Sequence, residues 1–162
     1  MLSDRKRGYW QCEQCLMVHV PAQWHLTAAQ EKAEYDRHEN HPDDPGYRRF
    51  LSRLAEPLLQ RLPPASCGLD FGCGPGPALA LMLREHGHQV TLHDLYYHPN
   101  PAALEQQWDF ITATEVVEHL AAPLAVLEQL WRCLKTDGWL GLMTKRVTSP
   151  EAFSTWHYKS DP

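Results

Sequence analysis

Three groups of residues in this chain combine types and spacings that could do chemistry. The first is Leu69-Asp70-Phe71-Gly72-Cys73-Gly74-Pro75-Gly76, where a short apolar run carrying one acid leads into glycines at alternate positions. Glycine tolerates positive φ and leaves no Cβ between backbone and ligand, so the spacing predicts a turn built for close approach. The second group is Glu115, Glu118 and His119, at i, i+3 and i+4. On a helical first turn these three share one face. Two carboxylates and an imidazole there suit a divalent ion such as Mg²⁺ or Mn²⁺, or a general base acting on a substrate. The same acids would also suit the positive end of a helix without any ligand. The third group is Cys12-Glu13-Gln14-Cys15, half of the four-ligand set that a structural zinc requires. The alternative for that pair is a β-turn with two buried thiols.

The elements around these groups follow from periodicity and turn chemistry. The glycine turn reads as the join between a buried strand and a helix, with Pro77 acceptable as the first helical residue. It is neither a G-x-G-x-x-G turn, since position 77 is Pro and the third glycine comes one residue early, nor a Walker loop, since no Gly-Lys-Ser/Thr follows. Gln89 to Asp94 reads as a second strand ending in an acid, about 20 residues on, where a carboxylate can accept both hydroxyls of a ribose. For Asp70 and Asp94 the alternatives are a turn-stabilising residue and an ordinary strand-end acid. Trp108 to Leu120 reads as strand then helix, and Leu134 to Met143 as helix end, turn and strand. This alternation of strands and helices predicts a parallel sheet. Tyr96 to Gln107 is too short and too proline-broken to hold a full helix and a full strand.

Upstream, Tyr9 to Val20 alternates like a short β-ribbon with the cysteine pair at its bend. Thr27 caps a helix, with Gln30 completing a capping box, that runs to about Arg37. A polar linker from His38 to Asp44 leads to Pro45, which opens a second helix. Its stripe of Tyr47, Phe50, Leu51, Leu54, Leu58 and Leu59 ends before Pro63-Pro64 and covers the sheet beside the pocket. Of the aromatics that could roof the pocket (Tyr35, Tyr47, Tyr96, Tyr97), one of Tyr35 or Tyr47 is expected to reach a ligand.

Composition sets the bounds. A chain of 162 residues with 43% apolar content is one domain by length and can bury a core. A net charge of −5 and no basic run argue against a nucleic-acid surface. No stretch is apolar enough to cross a membrane, and Met1 to Arg7 is polar, so a cytoplasmic protein is expected. Five cysteines fit reduced thiols or metal ligands better than disulfides. A zinc at Cys12 and Cys15 would need His19, His25, His38 or His41, or a second subunit in a homodimer, to complete it. Cys67, Cys73 and Cys133 read as small apolar fillers. His86, His88, His93 and His98 show no consistent spacing and read as surface or satisfied polar residues.

An acid two residues before the first glycine, then G-x-G-x-G, resembles motif I of class I S-adenosylmethionine-dependent methyltransferases. The acid at 94, the Trp108 to Leu120 segment and the Leu134 to Met143 segment resemble that family's later landmarks in order, over residues 66 to 146. The resemblance implies a Rossmann-like open, mostly parallel sheet with helices on both faces. A small β-ribbon, a candidate zinc knuckle, and a helical cover precede it. Residues 1–64 would be the ribbon and cover, and 65–162 the S-adenosylmethionine-binding domain. The latter looks incomplete at its C-terminus, because the family usually adds two more strands, and the usual third strand looks vestigial. The implied cofactor residues are Asp70 toward the methionine ammonium, Gly72, Gly74 and Gly76 beneath the ligand, Asp94 on the ribose, and Glu115. The E-x-x-E-H arrangement resembles the metal-binding motif of ubiquinone-pathway O-methyltransferases and of small-RNA 2′-O-methyltransferases. It implies catalytic roles for Glu118 and His119, with Mg²⁺ or Mn²⁺ on Glu115, Glu118 and His119 and with His157 as a fourth ligand. The implied activity is methyl transfer to a small-molecule acceptor at a hydroxyl oxygen. The alternative is a domain that binds S-adenosylmethionine without turnover, or a scaffold whose function lies in the Cys12/Cys15 knuckle.

Overall fold

The computed structural model describes residues 2–3, 7–15, 17–37 and 41–160. The elements run β1 (Leu2–Ser3), β2 (Gly8–Gln11), β3 (Val18–His19), α1 (Ala28–Tyr35), α2 (Pro45–Leu59), β4 (Cys67–Phe71) and α3 (Ala78–Glu85). They continue with β5 (Gln89–His93), β6 (Trp108–Thr114), α4 (Pro123–Arg132), β7 (Leu134–Met143) and α5 (Pro150–Ser154). Two compact units result, one of residues 39–144 and one of residues 1–38 with 145–162.

The larger unit is a four-stranded sheet in the order β5-β4-β6-β7 with every neighbouring pair parallel. Parallel neighbours need crossovers, and α3 and α4 supply two of them. Side chains alternate across a strand, so the adjacent buried residues Phe110 and Ile111 of β6 face opposite sides. Phe110 joins Leu51, Ala55 and Leu58 of α2, Leu79 and Leu83 of α3, and Val90 in one apolar cluster. Ile111 joins Leu69, Trp108, Leu130 of α4 and Cys133 in another. Helices therefore cover both faces of the sheet, the Rossmann-like arrangement expected from the alternation of elements.

Local chemistry explains where the elements begin. Asp44 Oδ1 accepts the amide of Tyr47 at 2.6 Å and Pro45 occupies the first turn, which together start α2. Leu51 and Leu58 then lie buried along the predicted stripe, and Arg48 ion-pairs with Glu85 at the end of α3. Pro77 differs from expectation: with ψ at 62° it stands just outside α3 as its N-cap, and the helix starts at Ala78. Between β5 and β6 the chain forms an isolated Asp94–His98 bridge and a 3₁₀ turn over Pro101–Glu105 in place of a strand. In β7, Leu134 pairs with Trp108 but Trp139 pairs with Phe110, so Lys135 to Gly138 loop out of register. Asp137, at φ 62°, marks the turn expected before the last strand.

In the smaller unit β1, β2 and β3 form an antiparallel sheet, and the Cys12 amide bonds the Met17 carbonyl at 2.9 Å to close the predicted ribbon. The Thr27 capping box is formed with Gln30, and α1 ends at Tyr35, two residues before Arg37. Tyr9 is buried edge-on against Phe153 of α5, with ring centroids 4.9 Å apart.

Candidate functional site

The carboxyl ends of β4, β5 and β6 bring Asp70, Asp94 and Glu115 to one edge of the larger unit, the edge at which open parallel sheets bind ligands. The turn after β4 is held from beneath by the Gly72 amide, which donates to the His93 carbonyl at 2.8 Å. Gly72 and Gly74 sit at φ 68° and 63°, a region open to glycine and strained for other residues. Their surroundings differ. A Cβ at Gly72 would lie 2.5 Å from Cγ2 of Val116, whereas a Cβ at Gly74 would meet no atom within 4 Å. One glycine permits packing; the other leaves the space beside the turn open. Gly76 is buried, and its carbonyl accepts the Ala78 amide at 2.7 Å as α3 begins.

Two acids brace this turn. Asp70 is 2% exposed, its Oδ1 accepts the Thr112 hydroxyl at 2.7 Å, and the amide of Ala80 also donates to it. Burial pushes its carboxyl up to about 6, against the opposing pull of the Thr112 bond, Arg84 and the Ala80 amide. Asp94, 9% exposed, accepts three backbone amides: Gly74 at 2.9 Å on Oδ2, and Tyr96 and Tyr97 at 2.8 and 3.0 Å on Oδ1. It thereby ties the glycine turn to the loop after β5. Tyr47 of α2 completes the group, for burial, then Asp70, then Glu115 all raise its phenol above the ordinary range. The thiol of Cys73 is pushed up to about 12 by burial and by the two aspartates, so it stays protonated. Tyr35, the other aromatic weighed from the sequence, donates its hydroxyl to Glu31 at 2.8 Å in the smaller unit.

The segment after β6 departs from expectation. Glu115, Glu118 and His119 do not lie on an α-helical first turn. Glu115 takes φ 54°, with its amide bonded to the Met143 carbonyl at 2.8 Å, and Val117–His119 make one 3₁₀ turn. Pro123 opens α4 only after that turn. The left-handed residue breaks the spacing argument, because i, i+3 and i+4 share a face only in continuous α-helix. The carboxylate oxygens of Glu118 and Nδ1 of His119 are nonetheless withdrawn from solvent.

Among the described residues no three His, Cys, Asp or Glu side chains converge on a site able to hold a metal ion, at Glu115/Glu118/His119 or at Cys12/Cys15. Two of the histidines that the sequence offered for the cysteine pair have other partners. His25 Nε2 bonds the Val20 carbonyl at 3.0 Å, and His41 Nδ1 accepts the Asp43 amide at 3.3 Å. His38 and the side chain of His157 lie outside the described residues.

A parallel sheet covered on both faces, with a two-glycine positive-φ turn and buried acids at its carboxyl edge, defines a Rossmann-like ligand-binding domain. Residues 37–162 match the family model described as a methyltransferase domain, and the chain belongs to that family, the class I S-adenosylmethionine-dependent methyltransferases. No curated protein matches the chain. Among the described residues no helix is long and apolar enough to cross a membrane. The site fits the family's cofactor, since the open space at Gly74 and the buried Asp70 carboxylate supply a backbone cradle and an acceptor for a cationic group. Thr112, absent from the sequence-derived site, had one signal: a hydroxyl inside the otherwise apolar run Phe110-Ile111-Thr112-Ala113.

Proposed function

We propose that this methyltransferase methylates a small molecule at a hydroxyl oxygen, with His119 as the base for the acceptor and Glu118 as its partner. Methyl transfer from a sulfonium is an in-line displacement, so alignment in a dry pocket supplies most of the catalysis, and a hydroxyl nucleophile adds the need for a base. The observation that carries the reading is the contact between the two halves of the sheet edge. Gly72 in the cofactor turn leaves its missing Cβ space to Val116, which stands three residues before His119. A base on that segment therefore adjoins the turn that would hold the methyl donor. In this reading Asp70 accepts the methionine ammonium, directly or through water. Gly72, Gly74 and Gly76 pass beneath the ligand, Asp94 holds the ribose, and Glu115 with Tyr47 borders the methionine end.

The test is transfer of labelled methyl from S-adenosylmethionine to a panel of small phenols, catechols and alcohols by wild type, Glu118→Ala and His119→Ala. An accepted hydroxyl substrate, with turnover reduced about 100-fold or more in His119→Ala at unchanged cofactor affinity, supports it. Transfer that survives His119→Ala, or that goes only to amines or carbon, removes the proposal.

A further inference from the structure

The carboxylate of Asp70 is buried at the floor of the site, and its orientation is fixed from a neighbouring strand. β6 runs parallel to β4 in a register that sets Thr112 beside Asp70. Thr112 is fully buried, between apolar residues of β6. A hydroxyl there is unfavourable unless its proton finds an acceptor. Oδ1 of Asp70 lies 2.7 Å away, in the range of a bond to a charged acceptor, while the Leu69 carbonyl is 3.5 Å away. The hydroxyl has one proton to give, and the distances direct it to the carboxylate.

We propose that Thr112 is the positioning residue for the cofactor-binding carboxylate. Its hydroxyl fixes the rotamer of Asp70, favours the ionised form, and leaves the remaining acceptor sites available to a cationic ligand group. This rests on the assignment of Asp70 to the methionine ammonium. The other groups facing Asp70 are the Ala80 amide and Arg84 from α3, Asp94 from the loop after β5, Tyr47 from α2 and Cys73 in the turn. Of these the Ala80 amide also hydrogen-bonds the carboxylate, and being backbone it persists in any variant. Thr112 is thus the hydrogen-bond donor that a substitution can remove while keeping shape, since valine is close in volume to threonine.

Two readouts on wild type, Thr112→Val and Thr112→Ser test the proposal: ¹³C NMR titration of the Asp70 carboxyl in the unliganded protein, and calorimetric affinity for S-adenosylhomocysteine between pH 5 and 8.5. That ligand carries the same ammonium. Thr112→Val is expected to move the Asp70 titration upward by about one unit, and so to weaken binding about tenfold at pH 5 and little at pH 8.5. The pH midpoint of binding should rise with the titration, and Thr112→Ser should return both to near wild type. An Asp70 titration that does not move overturns the proposal. So does an affinity loss that is the same at every pH, because it reports packing alone. If wild type fails to bind the ligand while the Asp70 titration still depends on Thr112, the assignment of Asp70 to the cofactor falls, and the positioning role falls with it.

Discussion

Two strand ends at the same edge of the sheet, those of β4 and β6, leave their strands in similar ways and are built differently. Each enters a residue of positive φ, Gly72 at 68° and Glu115 at 54°. At the first, glycine adopts the conformation freely, and buried side chains then lock the turn: Asp94 onto three amides, Asp70 onto Thr112 and Ala80. At the second a glutamate adopts it at a penalty of roughly 1–2 kcal/mol, and one 3₁₀ turn follows. The difference teaches that the β4 end is organised before any ligand arrives, while the β6 end holds a strained acid and withdrawn polar groups beside it. In the proposed function, rigid support for the cofactor and conformational cost near the acceptor fall on separate strands.

The largest effect should come from removing the brace. Asp94→Ala leaves three amides without their acceptor and is expected to lose about 4 kcal/mol of stability, together with cofactor binding, by denaturant unfolding and calorimetry. Glu118→Ala should move the unfolding midpoint far less and leave cofactor affinity in place. If the two variants lose equal stability, the contrast between the strand ends collapses.

Next in size is Gly72→Ala, which adds a methyl 2.5 Å from Val116 at positive φ and should destabilise by about 3 kcal/mol. Val116→Ala in the same chain should recover about 1 kcal/mol, a non-additivity that measures the contact between the two ends. Strict additivity would show that the turn and the β6 end do not touch through these groups.

Asp70 sharpens the comparison through pH. Its folded-state value of about 6 stands above the ordinary carboxyl value of 3.8, so the folded protein binds the extra proton between those values. Stability from this group is therefore fully present below the lower value and lost as pH rises through about 6. Asp70→Asn, which stays neutral, should gain on the order of 2 kcal/mol over wild type at pH 8 and little at pH 3.5, while losing cofactor affinity. Parallel pH–stability curves for the two proteins would show that Asp70 titrates normally.

The smallest stability effect belongs to Gly74→Ala. Its Cβ meets no atom, so only the φ penalty of about 1 kcal/mol applies, yet a methyl projecting from the turn should weaken cofactor binding about tenfold. Unchanged affinity would mean that the ligand does not lie over Gly74.

What could be read from the sequence was local. The Thr27 capping box, the start of α2 at Pro45, the ribbon around Cys12 and Cys15, and the glycine turn all depend on residues within a few positions of one another. β1 went unseen because two residues show no periodicity. The brace of Asp94 on Gly74 crosses twenty positions, and the Thr112–Asp70 bond depends on the register of two parallel strands. The face expected for Glu115, Glu118 and His119 failed for a different reason. A single left-handed residue interrupted the helix on which the spacing relied, and no composition signal at a glutamate announces positive φ.

The central claim, that the β4 end is a preformed cofactor site, is tested most directly by calorimetric titration of the purified chain with S-adenosylmethionine, with Gly74→Ala as the comparison. The account predicts one-to-one binding that the added methyl weakens while the protein stays folded. A folded wild-type chain that takes up no S-adenosylmethionine, or one whose binding is indifferent to the methyl, would contradict it.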